Sequence, residues 1–178
     1  MAKIIAFAGS NSSTSVNYQL VKHTVGLIDG HEIQLLNMAN FPFPMFSVDL
    51  EKEKGYSNSL NELRDDLQKA KGLVLSVNEH NGNPSAFFKN VLDWLSRIDR
   101  SFLAGTKILL MSASPGKRGG IGALGVVEQM LPRFGGEIIA TFSLPAFFDA
   151  FEAGKGIKEA ELAQTHKSAL EAFLSQLD

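Results

Sequence analysis

Six residues with hydrogen-bonding side chains stand in a row near the start of the chain, Ser10 to Ser15. They follow a short apolar run, Ile4 to Ala8, which has the length of a strand buried on both faces. Apolar residues resume at Val16, mostly with the spacing of one face of a helix. A loop between a buried strand and a helix presents free backbone N–H groups at the positive end of the helix dipole, and hydroxyls add further donors. The stretch therefore predicts a site for phosphate, whose oxygens accept hydrogen bonds.

Helix capping is the alternative explanation for part of this stretch. Either Thr14 or Ser15 could cap the following helix, but one cap explains one polar residue rather than six. No G-x-G-x-x-G motif follows this first strand, and the chain has no G-x-x-x-x-G-K-[ST] motif. The pattern therefore argues against a Rossmann dinucleotide site or a P-loop at this position.

Two further unusual loops also follow predicted strands. The loop 78–84 comes after the apolar run 72–77 and contains Asn81-Gly82, a pair suited to positive φ. The loop 112–120 follows the run 107–111 and contains three glycines, which allow a backbone to approach a flat ligand closely. In a parallel sheet, loops that follow strands meet at one edge, where ligands bind. A phosphate at one end and backbone donors along a planar edge describe flavin mononucleotide (FMN) better than a sugar phosphate.

Strand and helix patterns alternate five times, which predicts an α/β fold with helices on both faces of a parallel sheet. The predicted strands are residues 4–8, 32–36, 72–77, 107–111 and 137–141, and a final helix begins at Ile157. Apolar loops are predicted at 37–49 and from 142 to 156. The length of 178 residues predicts a single domain, residues 1–178.

Composition narrows the classes of function. A net charge of −2 gives no electrostatic case for binding nucleic acid or an anionic membrane. The absence of cysteine excludes disulfides, thiolate metal sites and a cysteine nucleophile, and no metal site is predicted. The N-terminal apolar run is too short for a signal peptide, and no stretch approaches the length of a membrane span. We therefore expect a cytoplasmic enzyme or binding protein.

The three loops also resemble the motifs of the NADPH-dependent FMN reductases, a flavodoxin-like family that includes bacterial quinone, chromate and azo reductases. The family's first loop, roughly G-S-x-R-x-x-S-x-N, is matched by Gly9, Ser10, Ser15 and Asn17. Its second motif, roughly P-E-Y-N-x-S-x-P-x-x-L-K-N-x-x-D-W, is matched by Glu79, Asn81, Lys89, Asn90, Asp93 and Trp94. Its third, S-x-G-x-x-G-G, is matched by Ser114, Gly116, Gly119 and Gly120. The resemblance covers residues 3 to 141 and depends on the order of the three motifs.

The resemblance implies a flavodoxin-like three-layer sandwich with strand order 2-1-3-4-5, FMN as cofactor and NAD(P)H as co-substrate. It implies that FMN is bound by residues from all three loops: Ser10, Ser12, Ser15, Val16 and Asn17 at the phosphate; Glu79, His80, Asn81 and Gly82 along the isoalloxazine; and Ser114, Pro115, Gly116, Gly119 and Gly120 on the far side. The remaining matches, which lie one to two turns into a helix, are expected to be architectural: Lys89, Asn90, Asp93 and Trp94.

The chain departs from the family pattern at three positions. Ser12 replaces the arginine of the first loop, which removes a charge worth about 1.5–3 kcal/mol in a charge-assisted hydrogen bond. Asn78 and His80 replace the proline and tyrosine of the second motif. Lys117 and Arg118 could supply the missing charge, or could be a solvated turn.

The resemblance implies an FMN-dependent NAD(P)H oxidoreductase that transfers hydride by a ping-pong cycle to a quinone-like, azo, metal-oxyanion or free-flavin acceptor. No catalytic side chain is required when a flavin carries the chemistry. His80 could stack on or hydrogen-bond to the flavin, or donate a proton. The alternative is a flavodoxin-like electron carrier without a substrate of its own, although such carriers tend to be more acidic than this chain. A Ser/His hydrolase is disfavoured because the G-x-S-x-G elbow is absent.

Aromatic residues in the two apolar loops predict self-association. Exposed aromatic surface of this extent would be a liability in a monomer. We therefore expect a homodimer, or a dimer of dimers, in which the partner covers one side of each flavin site. The residues concerned are Phe41, Phe43, Phe46, Phe142, Phe147, Phe148 and Phe151.

Overall fold

A five-stranded parallel sheet forms the centre of the protein, whose computed structural model describes residues 1–177; Asp178, the last residue of the predicted domain, lies outside the described residues. The strands are β1 (Lys3–Ala8), β2 (Glu32–Leu36), β3 (Gly72–Val77), β4 (Lys107–Ala113) and β5 (Glu137–Leu144). Their order across the sheet is β2-β1-β3-β4-β5, and all neighbours pair in parallel. This order is that of the flavodoxin-like fold, as predicted.

Helices cover both faces of the sheet. They are α1 (Val16–Val25), α2 (Val48–Lys54), α3 (Asn58–Lys69), α4 (Ala86–Ile98), α5 (Ile121–Met130), α6 (Phe147–Ala150) and α7 (Ala160–Leu174), with 3₁₀ turns at Met38–Asn40 and Leu131–Phe134. Successive residues of β1 point to opposite faces, so Ile5 and Phe7 join the core under α3, α4 and α5. Ile4 and Ala6 join the second core, under α1 and α7.

Several element boundaries, and one helix, differ from the sequence prediction. Strand β4 extends through Ala113 and β5 through Leu144, each beyond its predicted end. Helix α7 begins at Ala160 rather than at Ile157, because Phe151–Glu152 and Gly156–Ile157 form a small antiparallel ladder first. Helix α2 was not predicted, because none of its residues is buried and an apolar period is therefore missing.

Most of the phenylalanines expected at the surface are packed within the chain itself. Phe142 is a strand residue that is only 3% exposed, and Phe147 and Phe151 are also buried. Phe148, at 70% exposed, is the one fully exposed member of the seven. The exposed aromatic surface is therefore smaller than expected, because β5 and the segment around α6 bury three of these rings and the loop after β2 half-buries three more.

The apolar loop after β2 is held against helix α4 by hydrogen bonds. The Trp94 Nε1–H donates to the Pro44 carbonyl oxygen at 2.8 Å, and the Asn90 Nδ2 donates to the same oxygen at 2.9 Å. The Asn90 Oδ1 accepts from the Phe46 backbone N–H at 2.7 Å. Asn90 and Trp94 therefore hold a loop in place, as their expected architectural role requires.

No helix within residues 1–177 has both the length and the apolarity needed to cross a membrane.

Candidate functional site

The serine loop, residues 9–15, connects β1 to α1 at the carboxyl edge of the sheet. Its last residue caps the helix, since the Ser15 Oγ accepts from the Tyr18 backbone N–H at 3.2 Å. Within the loop, the Ser10 Oγ accepts from the Ser12 N–H at 3.2 Å, and the Ser12 Oγ accepts from the Thr14 N–H at 3.3 Å. These short-range bonds hold the loop in one tight path in front of the helix.

Many donors of the serine loop remain without a partner among residues 1–177. The backbone N–H groups of Ser10, Asn11 and Ser13 donate to no other described group. Val16 and Asn17 lie in the first turn of α1, where backbone N–H groups have no carbonyl acceptor within the helix. Exposed hydroxyls surround these amides, at Ser12, Ser13 and Thr14. Since such a set of donors at a helix N-terminus suits an anion, the predicted phosphate chemistry is available here.

The Asn17 side chain has a different environment from its neighbours, because it is 1% exposed and fully engaged inside the protein. Its Oδ1 accepts from the Ala113 backbone N–H at 2.8 Å and from the Ser76 hydroxyl at 2.7 Å. Its Nδ2 donates to the Ala113 carbonyl oxygen at 3.0 Å. The amide thus ties α1 to the ends of β3 and β4, which leaves only the Asn17 backbone N–H for a ligand.

The loop 78–84 folds as a tight hairpin. Glu79–His80 pairs with Asn83–Pro84 in an antiparallel ladder. The two residues between them, Asn81 and Gly82, have φ values of 55° and 77°, as expected for the Asn-Gly sequence. Both residues are exposed, and their backbone N–H groups donate to nothing else in the described chain. The turn therefore presents two adjacent backbone donors at the carboxyl edge.

The Glu79 side chain caps helix α5, a role that was not predicted from the sequence. Its Oε2 accepts from the Ala123 backbone N–H at 3.0 Å, in the first turn of α5, which has no side-chain cap of its own. A Cβ built on Gly122 would lie 2.7 Å from the same oxygen, so the close approach requires glycine there. The carboxylate thus caps the helix and anchors the hairpin.

This cap also explains a motif that sequence reasoning overlooked. Residues 120–125, GIGALG, match G-x-G-x-x-G at the start of α5. In dinucleotide-binding folds such a motif places a pyrophosphate at the helix N-terminus. Here the Glu79 carboxylate already lies at that N-terminus, and two anions would repel each other there. In this chain the motif therefore accommodates the Glu79 carboxylate at Gly122 rather than a phosphate.

The glycine loop, residues 114–120, folds on itself to a much greater extent than the serine loop. The Gly119 carbonyl oxygen accepts from the Ser112 hydroxyl at 2.7 Å and from the Ser143 hydroxyl at 3.0 Å. The Gly116 carbonyl oxygen accepts from the Ser114 hydroxyl at 3.2 Å and from the Ala146 N–H at 3.0 Å. The two ends of the glycine loop differ in exposure. Pro115 to Arg118 are exposed, whereas Gly119 and Gly120 are buried.

Hydrogen bonds join the three loops into one unit. The Ser85 hydroxyl, which sequence reasoning did not single out, donates to the Gly9 carbonyl oxygen at 2.9 Å and caps helix α4. It thereby links the serine loop to the end of the hairpin, and Asn17 links α1 to the start of the glycine loop. The signal for Ser85 was available, since a serine just before an apolar helix is a common N-cap.

Charge in this unit comes from the glycine loop. Lys117 and Arg118 are exposed, and neither forms an ion pair with any described residue. The serine loop contains no charged side chain. Among residues 1–177, no group of three or more His, Asp or Glu side chains is placed to hold a metal ion.

Comparison with known proteins places the chain in a family. A sequence profile of the NADPH-dependent FMN reductases matches residues 2–149. A quinone reductase of Escherichia coli is 32% identical over 77 residues, which are 43% of this chain and 41% of that protein. An NADPH:quinone oxidoreductase of Arabidopsis thaliana is 28% identical over 101 residues, 54% of this chain and 50% of that one. The chain thus spans about half the length of these curated relatives.

Solved structures agree on the fold over nearly the whole chain. FerB, a flavoenzyme NAD(P)H:(acceptor) oxidoreductase from Paracoccus denitrificans, is similar with a TM-score of 0.79 at 22% identity, covering 99% of this chain and 97% of that one. An FMN-dependent NADH-azoreductase from Bacillus anthracis, solved with FMN, has a TM-score of 0.62 at 15% identity and full coverage of both chains (100% each). At these identities the likeness establishes the fold. Because the family profile extends over most of the sequence, the chain belongs to the NADPH-dependent FMN reductase family.

Proposed function

We propose that this protein is an FMN-dependent NAD(P)H oxidoreductase whose serine loop binds the FMN phosphate. The observation that carries the proposal is the set of partnerless N–H donors and hydroxyls at the start of α1, in a chain of this family. A phosphate that accepts from the Ser10 hydroxyl and the first α1 amides would satisfy donors that nothing else in the described chain satisfies. The Ser12 hydroxyl, which otherwise lies 3.3 Å from the Thr14 Oγ1, would add a further donor. When bound, FMN would supply the hydride transfer, so the protein needs no nucleophile or metal of its own.

The remaining residues of the three loops bind and orient the ring in this proposal. Backbone N–H groups of Asn81 and Gly82 suit the polar edge of an isoalloxazine, whose carbonyl oxygens and nitrogens accept hydrogen bonds. Glu79 supports this edge from behind by capping α5, rather than by contacting the flavin with its carboxylate. Pro115 and Gly116, on the exposed side of the glycine loop, close the far side. The buried Gly119 and Gly120 hold that loop in shape.

We propose a ping-pong cycle, in which NAD(P)H reacts and leaves before the acceptor enters the same open face. Planar acceptors such as quinones, azo compounds or free flavins suit a site that has just released the planar nicotinamide ring. A metal oxyanion would need only to reach the same open face. The relatives named quinone reductase and NADPH:quinone oxidoreductase support a quinone as the first acceptor to test. The alternative, an electron carrier without its own substrate, has no comparable support.

The test combines cofactor identification with turnover. Protein purified without added flavin is expected to be yellow and to release FMN on denaturation, or to take up FMN when it is supplied. The FMN-loaded protein should then oxidise NAD(P)H with 1,4-benzoquinone and without any partner reductase. Loading with FMN but no NAD(P)H oxidation would favour the carrier. Failure to bind FMN at all would refute the proposal.

Lys117 and Arg118 are proposed to select NADPH over NADH through the 2′-phosphate, because they are exposed cations beside the loops with no ion-pair partner in the described chain. Reversing both charges (Lys117→Glu with Arg118→Glu) should raise the KM for NADPH about 10-fold, the equivalent of one charge-assisted contact, with little effect on NADH. Arg133→Glu, an exposed arginine in the 3₁₀ turn Leu131–Phe134, is the control. An equal effect on both nucleotides would contradict this role.

We also propose a homodimer formed around the carboxyl edge, although fewer residues support it than the sequence indicated. Four large apolar side chains remain exposed in segments that follow strands: Met45 at 68%, Val48 at 48%, Ile121 at 53% and Phe148 at 70%. Burying them against a second copy would remove apolar area from water. Light scattering should give twice the chain mass, and a monomer mass at all concentrations would rule the dimer out.

A further inference from the structure

His80 is an exposed imidazole on a firmly anchored part of the carboxyl edge. On one side of His80, the Glu79 carboxylate is hydrogen-bonded to the first turn of α5. On the other side, Asn81 and Gly82 form a tight turn with positive φ. His80 therefore lies in a short antiparallel ladder whose backbone is held in place on both sides of the residue. Histidine is the side chain best suited to give and regain a proton near neutral pH.

Asn78 holds one nitrogen of this ring. Its Nδ2 lies 3.2 Å from the His80 Nε2, so the amide donates to this nitrogen whenever the nitrogen carries no proton. The other end of the amide, the Asn78 Oδ1, is buried and has no hydrogen-bond partner among the described residues. A half-turn of the amide would bring this acceptor against Nε2–H of a protonated ring. Asn78 can thus hold His80 in both protonation states, while Nδ1 stays free of any partner in residues 1–177.

We propose that His80 donates the proton that a quinone acceptor takes up together with hydride, and that Asn78 is its positioning residue. This inference rests on the proposed function. Reduction of a quinone to a hydroquinone requires two electrons and two protons. The hydride supplies both electrons and one proton. The second proton comes from the His80 imidazolium, whose N–H bond breaks with its electron pair left on nitrogen as the new O–H bond of the hydroquinone forms. Water then returns a proton to the ring.

The test separates proton transfer from electron transfer by the choice of acceptor. FMN-loaded wild type and His80→Ala are reduced with NADPH without oxygen and then mixed rapidly with 1,4-benzoquinone or with ferricyanide. Benzoquinone needs the second proton, whereas ferricyanide takes electrons alone. We expect His80→Ala to react about 100-fold more slowly with benzoquinone and at the wild-type rate with ferricyanide. Added imidazole should restore part of the benzoquinone rate.

Two further variants make the result specific. Asn78→Leu should show a smaller loss that is again confined to benzoquinone, because the proton donor remains but is no longer held. His31→Gln changes a histidine just before β2, at the amino ends of the strands and so away from the three loops. This variant should match wild type with both acceptors. Equal losses with both acceptors, or no loss with benzoquinone, would overturn the assignment of His80.

Failure of the proposed function itself would look different. A wild-type protein that takes up no FMN, or whose bound FMN is not reduced by NADPH, would overturn that function and this inference together. A wild type that completes both half-reactions while His80→Ala behaves identically would overturn the inference alone.

Discussion

The serine loop and the glycine loop both leave backbone N–H groups free, yet they differ in how they are held and in what their side chains offer. In the serine loop, the amides of Ser10, Asn11 and Ser13 have no partner in the described chain, and the hydroxyls of residues 12–14 are exposed beside them. In the glycine loop, the amides of residues 116–118 likewise have no partner in the described chain, but the Gly119 carbonyl oxygen accepts from the hydroxyls of Ser112 and Ser143 on two neighbouring strands. Free amides are therefore common to both loops. Exposed hydroxyls distinguish the serine loop, and bonds to two strands fix the closed end of the glycine loop.

The strongest test of this contrast is a substitution at the closed end of the glycine loop. A Cβ at Gly119 would overlap the Ser143 Oγ and lie 3.0 Å from the Pro145 backbone nitrogen, at a φ of +62°. Gly119→Ala should therefore lower the free energy of unfolding by about 4 kcal/mol, from the left-handed backbone and the overpacking together. Chemical denaturation followed by circular dichroism measures this loss.

Gly116→Ala is the matched control in the same loop. A Cβ there would meet only the Ser114 Oγ, at 3.7 Å, in an ordinary contact without positive φ. Its stability should stay within about 0.5 kcal/mol of wild type. If both variants were equally stable, the glycine loop would not be closed as described.

His166 is a polar side chain whose hydrogen bond is made inside the protein, since it is buried between α7 and the sheet. Its Nε2 lies 2.8 Å from the Thr24 Oγ1, whose hydroxyl donates to the Leu20 carbonyl oxygen, so the ring donates from Nε2. Burial, and secondarily the neighbouring His23, lowers the pKa of His166 from 6.5 to about 4. Because the unfolded chain binds this proton more readily, the stability from His166 is present above pH 6.5 and is lost as the pH falls towards 4.

We therefore expect His166 to account for about 3 kcal/mol of the stability lost between pH 7 and pH 4. Urea denaturation across this range, for wild type and His166→Gln, measures the difference. The variant keeps a donor for Thr24 but does not titrate, so its stability should fall less steeply. An unchanged pH dependence in His166→Gln would mean that the buried ring is not the group that protonates.

Local patterns in the sequence were sufficient for the sheet and for the position of the serine loop between β1 and α1. The apolar run 72–77 coincides with β3, a central strand that is buried along its whole length. The segment 32–36 coincides with β2, an edge strand that is only half-buried. Helix α2 was missed because nothing in it is buried, so no period marks it. The role of the Glu79 carboxylate could not be predicted, since its partner Ala123 lies 44 residues away and only the fold brings them together.

Substitution of Ser15 is expected to have the smallest effect on stability, and it tests whether the serine loop binds phosphate through this side chain. Its hydroxyl caps α1 within the serine loop, and the Ser57 hydroxyl caps α3 in the same way, accepting from the Leu60 N–H at 3.3 Å. Replacing either serine with alanine should cost about 1 kcal/mol of stability, since each loses one helix cap. FMN affinity, measured by fluorescence quenching, should fall for Ser15→Ala alone, because Ser15 lies in the loop that is proposed to hold the phosphate and Ser57 does not. Equal affinities in the two variants would make Ser15 a cap and nothing more, and would leave the phosphate to the backbone amides of the loop.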